Sequence, residues 1–192
     1  HATNGGISAA GNEAWDISPL PYLRTFLDGS QRWKKKFFLP LDSTDNVKRL
    51  LSYRDGAYGN SHHLFRWERI VRASDIEEIF KSSEYKDDVA KSISVLERGT
   101  SGRVISLEIR GFNENSVRVL RLDEIRRNLR NLPSTLFYIE EVDKGVWKFI
   151  GGGFGHGAGL SQAGAIDLAL RGWTTRKILK YYYPGTTYES FK

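Results

Sequence analysis

The sequence predicts an α+β fold: a mainly antiparallel sheet with a few packed helices, ending in a strand, a glycine-rich loop and a helix. Three observations lead there. Short stretches of alternating apolar and polar residues are joined by tight turns, which pair strands antiparallel, whereas parallel strands need long crossovers. Several such hairpins are followed by helical patterns rather than interleaved with them, which points to about three or four helices packed on the sheet. Finally, 40% hydrophobic and 12% aromatic residues in 192 positions suffice for a substantial core and exclude global disorder.

In chain order, residues 1–12 are small and polar, with Gly5, Gly6 and Gly11. Residues 25–61 are rich in turns and charge and read as a surface excursion. Lys34–Lys36 forms a solvated run there, and Phe37-Phe38-Leu39 offers apolar side chains to the core. His62 and His63 point to opposite faces if they lie in a strand, which disfavours a two-histidine metal site. Leu64-Phe65-Arg66-Trp67 reads as strand. Ser74-Asp75-Ile76-Glu77 has the Ser-x-x-Glu form of a capping box, opening a short helix to about Ser82 with Ile76, Ile79 and Phe80 inward. Val89 to Arg98 and Arg103 to Arg110 form a hairpin about a Gly99–Gly102 turn, with Ile93 and Val95 facing Val104, Leu107 and Ile109.

Val117–Leu120 is a further strand, and Leu122 to Leu132 an amphipathic helix with Leu122, Ile125 and Leu129 inward. Its outward Arg126, Arg127 and Arg130 are either a polyanion-binding patch or a solvated face. Ile139–Val142 turns at Asp143-Lys144-Gly145 into a strand reaching Ile150. In that strand Trp147 and Phe149 face one way, and Val146, Lys148 and Ile150 the other. Leu160 to Leu170 has the composition of a buried helix. Thr174 caps a last helix, with Ile178, Leu179 and Tyr182 on its buried side and Pro184-Gly185 ending it.

The chain is organised around residues 151–165, where seven of fifteen positions are glycine and His156 stands among them. Glycine is costly in regular structure, so this density marks backbone at positive φ or in very close approach to another group. Gly153, Gly155 and Ala158 meet a degenerate dinucleotide spacing, but the βαβ unit and the later acidic residue are missing. Ser161 between Gly159 and Gly164 is one residue too long for a nucleophile elbow. The remaining possibilities are a pocket floor, with His156 and the first helical amides near Ser161 and Gln162 facing a ligand, or a tight connection with a structurally bonded His156.

The run Gly151–Ala165, followed by Ala169, Gly172, Ile178-Leu179 and Tyr182-Tyr183-Pro184-Gly185-Thr186, closely resembles the C-terminal signature of the SpoIID/LytB family, which comprises stage II sporulation protein D and the amidase enhancers. Glu13-Ala14-Trp15, Pro21-Tyr22-Leu23 and Ser101-Gly102-Arg103-Val104 resemble that family too, so the resemblance covers residues 1–192 and starts at residue 1. The resemblance implies that the family's N-terminal half is absent from this chain. It also implies action on peptidoglycan, either as a lytic transglycosylase or as a non-catalytic module that enhances an N-acetylmuramoyl-L-alanine amidase. In the first case a glutamic acid protonates the glycosidic oxygen and the muramic 6-hydroxyl closes an anhydro ring. A single acid/base then suffices, unlike the two carboxylates of an ordinary glycosidase. The family's glutamate lies in a Glu-Met-Pro-like context upstream of residue 1, so no catalytic residue is assigned within the chain.

The resemblance places Gly155, His156, Gly157, Ser161 and Gln162 along the glycan cleft, with Tyr182 and Tyr183 as a sugar-stacking wall. Some relatives build a zinc site near Gly5-Gly6; here His1 is the one candidate ligand, and Asn4 stands where a thiolate is expected. A lone histidine does not hold zinc, so no metal and no cofactor are expected. His1 then reads as a pocket-wall or structural side chain. The implied partners are glycan strands and a wall amidase, in the extracytoplasmic cell envelope.

Composition is compatible with this. Lys plus Arg number 29 against 23 Asp plus Glu, a net charge of +6, which suits any polyanion. No nucleic-acid motif is present, so no nucleic-acid partner is expected. The absence of cysteine excludes disulfides and thiolate metal sites. No apolar run reaches the ~20 residues of a membrane span, and the first residue is His rather than Met, as in a fragment, a trimmed chain or a processed product.

Overall fold

The computed structural model describes residues 1–81, 84–85 and 87–189. Eight strands and six helices follow in order: β1 (Ile7–Ser8), β2 (Phe26–Leu27), α1 (Gln31–Lys34), α2 (Thr44–Leu51), β3 (Trp67–Arg72), α3 (Glu78–Lys81), β4 (Ala90–Arg98), β5 (Val104–Gly111), β6 (Val117–Arg121), α4 (Asp123–Asn128), β7 (Phe137–Asp143), β8 (Val146–Gly151), α5 (Gln162–Leu170) and α6 (Thr175–Tyr182). The strands make three antiparallel sheets, ordered β1-β2, β3-β8-β7 and β4-β5-β6. This is the α+β architecture expected, with the antiparallel pairing divided among three sheets.

The alternation read in β8 sets the main core. Trp147 and Phe149 are buried, and they join Trp67, Val71 and Phe137 of the same sheet with Val104, Leu107 and Ile109 of β5. Ile76, Ile79 and Phe80 cover one end of this cluster, and Ile125, Leu129 and Leu132 another. Burying one such side chain contributes roughly 1.5–3 kcal/mol.

Four local expectations need correction. First, the strand expected at Leu64 starts only at Trp67. The His62 Nδ1 accepts the Leu64 amide at 3.1 Å and fixes a 3₁₀ turn over His63–Phe65. His62 and His63 consequently stack, 4.5 Å apart at 21°, instead of facing opposite ways. Second, the Ser74 capping box does not form. Asp75 Oδ2 accepts the Arg72 amide at 2.8 Å, giving a 3₁₀ turn over Ala73–Asp75 before α3. The expected end of that helix at Ser82 lies outside the described residues.

Third, the helix expected over Leu122–Leu132 stops at Asn128. Arg130 and Asn131 take left-handed φ of 55° and 53°, and the Leu132 amide returns to the Arg126 carbonyl at 3.1 Å. The expected outward arginines are engaged with acids: Arg126 and Arg127 with Asp123, and Arg130 with Asp75. Fourth, residues 25–61 are no surface excursion. Trp33, Phe37, Leu41, Val47 and Leu50 form a second core with Ile7, Leu27 and Phe65, while Phe38 is 77% exposed. Four long-range bonds seat this lobe. The Trp33 indole donates to the Gly6 carbonyl at 2.9 Å, and the half-buried Arg66 guanidinium donates to the carbonyls of Gly5 at 2.8 Å and of Leu50 and Leu51 at the end of α2.

The C-terminal helices carry a third cluster, Leu168, Ile178 and Tyr182, packed on Phe26 and Tyr58. Ser161 caps α5 by accepting the Gly164 amide, and Thr174 caps α6 as expected. Helix α5 is not buried all round: Ile166 is 62% and Leu170 83% exposed. No helix among the described residues is long and apolar enough to cross a membrane.

Candidate functional site

Alternate residues of the glycine loop hold its shape. Gly153, Gly155, Gly157 and Gly159 all take positive φ, between 75° and 105°. At Gly157 the need is also steric, because a Cβ there would stand 2.1 Å from the Arg103 guanidinium. The small N-terminal residues, read as merely polar, prove to be the loop's partner. Residues 3–9 are buried. The Phe154 amide donates to the Thr3 carbonyl at 2.7 Å, and the Ala9 amide to the Gly157 carbonyl at 2.9 Å.

Beneath this pair of strands lies a polar core. Arg103 is wholly buried, donating to the carbonyls of Asn4 at 3.0 Å and Ile7 at 3.3 Å. The Ser101 hydroxyl accepts from Arg103 at 3.4 Å and donates to the Glu13 carboxylate, which also takes the Ser101 amide and the Thr25 hydroxyl. Two segments separated by 88 residues, each carrying part of the family resemblance, thus meet in one network. Burial pulls the Arg103 guanidinium down to about 10, and the Glu13 charge opposes the shift.

On the outer side stands His156, half-buried. Its Nδ1 accepts the Ala158 amide at 3.2 Å, which assigns the proton of the neutral ring to Nε2. Nε2 has no protein partner among the described residues. The Trp15 indole lies against the imidazole, ring centres 4.6 Å apart at 40°, and His1 meets it edge-on at 5.1 Å. Burial, then the positive charges of the His1 amino group, Arg103 and Arg126, depress His156 to about 4, so the ring is neutral near pH 7. Trp15 is 41% exposed, and Ile17, Tyr22 and Phe154 are comparably exposed. The arrangement offers one neutral N–H donor beside an accessible aromatic face, a combination suited to an uncharged, hydroxyl-bearing ligand.

The sequence-predicted residues divide sharply. Gly155, His156 and Gly157 form the loop beside Trp15. Ser161 is fully buried and serves as the α5 cap. The Gln162 side chain is exposed, but its amide and that of Ala163 donate to the His1 and Ala2 carbonyls at 3.1 and 2.9 Å. The first helical amides therefore face the N-terminal segment, not a ligand. Tyr182 is also corrected. It is 1% exposed, and its phenol donates to Asp28 Oδ2 at 3.0 Å, so no sugar can stack on it. Tyr183 is half-buried, its phenolic oxygen accepting the Leu160 amide at 3.2 Å.

Asp28 escaped the sequence reading, since Asp28-Gly29-Ser30 has the composition of an ordinary turn. It is fully buried, accepting from Asn4 at 2.7 Å and from both Tyr181 and Tyr182 at 3.0 Å. Burial raises it to about 6 despite those hydrogen bonds. His1 buries both ring nitrogens without a hydrogen-bond partner among the described residues. No group of three or more His, Cys, Asp or Glu side chains among them is placed to hold a metal ion.

Comparison with known proteins adds the following. The model of a family described as a domain of unknown function, DUF8618, matches residues 9–159. An amidase enhancer of Bacillus subtilis is 29% identical over 99% of this chain and 29% of its own length. An uncharacterised protein of Brachyspira hyodysenteriae is 31% identical over 54% of this chain and 29% of its own length. Stage II sporulation protein D of B. subtilis is 59% identical over 34 residues, 18% of this chain and 10% of its own length. The chain thus spans under a third of the length of the curated relatives it matches.

Proposed function

The chain belongs to the DUF8618 family and is of the SpoIID/LytB type, and from that premise we propose that it supplies the glycan-contacting surface of a peptidoglycan-acting protein of the cell envelope. The observation that carries this is the pair of Trp15 and His156: an accessible indole beside a neutral imidazole whose Nε2–H is unclaimed by any described residue. A sugar ring presents an apolar face and a rim of hydroxyls, which such a pair meets together. Gly155 and Gly157 bring the backbone close beneath it.

For the complete protein the reaction is lytic transglycosylation. An acid protonates the glycosidic oxygen, the C1–O bond breaks, and the muramic 6-hydroxyl bonds to C1 while its proton passes to the resulting carboxylate. Glu13 is not that acid. It is 6% exposed and engaged by Ser101 and Thr25. In this reading the acid is supplied by a segment outside this chain.

A second reading is favoured by the similarity to an amidase enhancer along 99% of this chain. Here the same surface holds glycan without cleaving it and positions an N-acetylmuramoyl-L-alanine amidase. Mass spectrometry of purified glycan strands, incubated with this chain and with the longer protein that contains it, separates the two. Anhydro-muramic ends from the longer protein alone support the transglycosylase with its acid elsewhere. Cleavage by neither, with glycan still bound, supports the enhancer. Cleavage by this chain on its own overturns both readings, since the first places the acid elsewhere and the second has no cleavage.

A further inference from the structure

Strand β8 has two ends, and the glycine loop uses one. Trp67 pairs with Gly151 at that end, and Arg72 with Val146 at the other. Five steps of about 3.3 Å separate them by roughly 17 Å. At the far end, Arg72, Ser74, Lys91, Phe112, Glu141 and Lys144 line a cavity of about 640 Å³. A second hollow of about 490 Å³ shares Lys91 and Phe112 and continues past Arg110, Asn113 and Asn115. The two make one groove.

Its cations are unevenly paired. Arg110 is held by Glu108 at 2.6 and 2.9 Å, but Arg72, Lys91 and Lys144 form no ion pair among the described residues. Beside these three cations stand the lining carboxylates Glu141 and Glu114, and the Asp88 carboxylate, which is already engaged by the amides of the Phe112 turn. The Lys144 ammonium lies 5.7 Å from the centre of the Phe112 ring, which is 52% exposed. The turn bearing Phe112 is fixed in advance, since the Asp88 carboxylate accepts the Phe112 and Asn113 amides at 3.1 Å.

We propose that this groove binds a phosphodiester chain of the polyol-phosphate kind, with Arg72, Lys91 and Lys144 on the phosphates and Phe112 against the polyol carbons. Two joined hollows suit an extended chain better than a compact ion. Lysine ammoniums meet phosphate oxygens as rotatable point charges, and the Arg72 guanidinium offers a fork that matches a phosphate as well. A single-stranded nucleic acid needs a row of aromatic rings for its bases, and Phe112 is the one aromatic residue in the described lining. The choice of a wall polymer among phosphate chains rests on the cell-envelope reading above; the cation arrangement does not.

The test uses the intact chain and a fluorescent glycerol-phosphate oligomer, followed by anisotropy at several salt concentrations. The K91A/K144A variant is expected to bind about tenfold more weakly, with a salt slope flattened by about two, as loss of two phosphate contacts requires. K35A/K180A, removing two exposed lysines elsewhere, should change affinity less than about twofold. His156→Ala should leave oligomer binding intact, and K91A/K144A should leave glycan binding intact, so failure of the glycan site is distinguishable from failure of the groove. Equal losses in the two lysine variants, no binding below about 1 mM (a free energy near −4 kcal/mol), or tighter binding of an oligothymidylate of equal charge each overturn the proposal.

Discussion

The Asp28 carboxylate and the Tyr182 phenol meet at 3.0 Å across 154 residues of sequence, and Tyr181 reaches the same carboxylate from the same helix. That contact fastens α6 to the strand layer beneath the glycine loop. Gly164 lets it form, because a Cβ there would stand 2.1 Å from the Tyr182 oxygen. The buried acid therefore belongs to the scaffold rather than to the chemistry.

It also gives the fold a specific pH dependence. Asp28 ionises near pH 6 when folded and near its ordinary value of 3.8 when unfolded. Between these values the folded state binds more protons, so stability falls as pH rises. The shift corresponds to about 3 kcal/mol at 1.36 kcal/mol per unit. Urea unfolding of the wild type and of Asp28→Asn between pH 3.5 and 7, on the order of the window's width, should give a stability difference that moves against the wild type across that range. A difference independent of pH would show that Asp28 does not carry this pH dependence.

Gly157 tests how the loop is locked over Arg103. Gly157→Ala combines positive φ with a Cβ 2.1 Å from a buried guanidinium, whereas Gly172, also at positive φ, has nothing within 4 Å of its added Cβ. The first substitution should cost about 3 kcal/mol or more, and Gly172→Ala about 1 kcal/mol. Thermal midpoints of the two variants check this, and similar midpoints would remove the steric role assigned to Arg103.

What the sequence disclosed follows a physical line. Period-2 alternation made Trp147 and Phe149 legible as core, and the threonine at 174 announced a cap, because both signals are local. The role of Trp33 was not legible, since its indole reaches a carbonyl 27 residues away. Nor was the early end of α4, which depends on left-handed Arg130 and Asn131. At the site, the family-like motifs located His156 and the glycines correctly as a loop. They could not tell Ser161 and Tyr182, which hold the helices, from residues that face outward.

His156 should matter for glycan binding and little for stability near neutral pH. His156→Ala removes the Nε2–H donor and the contact with Trp15, so glycan affinity should drop by about tenfold, in line with one lost hydrogen bond and its packing. The thermal midpoint at pH 7 should stay nearly unchanged. At lower pH a second effect appears. The folded ring ionises near 4 while the unfolded one ionises near 6.5, so the unfolded state binds more protons between them. The wild type therefore carries a penalty that is full below about 4, shrinks as pH rises and is gone above 6.5, so its stability relative to the variant rises with pH, the opposite sign to Asp28. A flat difference between wild type and variant over that interval would argue that the imidazole is not held neutral by its surroundings.

Glu13 separates scaffold from catalysis. Glu13→Gln keeps the shape of the side chain but removes the negative charge that accompanies the buried Arg103 through Ser101. Leaving a buried cation without its counter-charge should cost about 3 kcal/mol. Under the transglycosylase reading, a longer protein that contains this chain and carries Glu13→Gln, assayed well below its melting temperature, should retain anhydro-muramic product at nearly the wild-type rate, because Glu13 is buried away from substrate. A stable but inactive Glu13→Gln protein would instead make this carboxylate the proton donor, and would require the Ser101 turn to open and expose it.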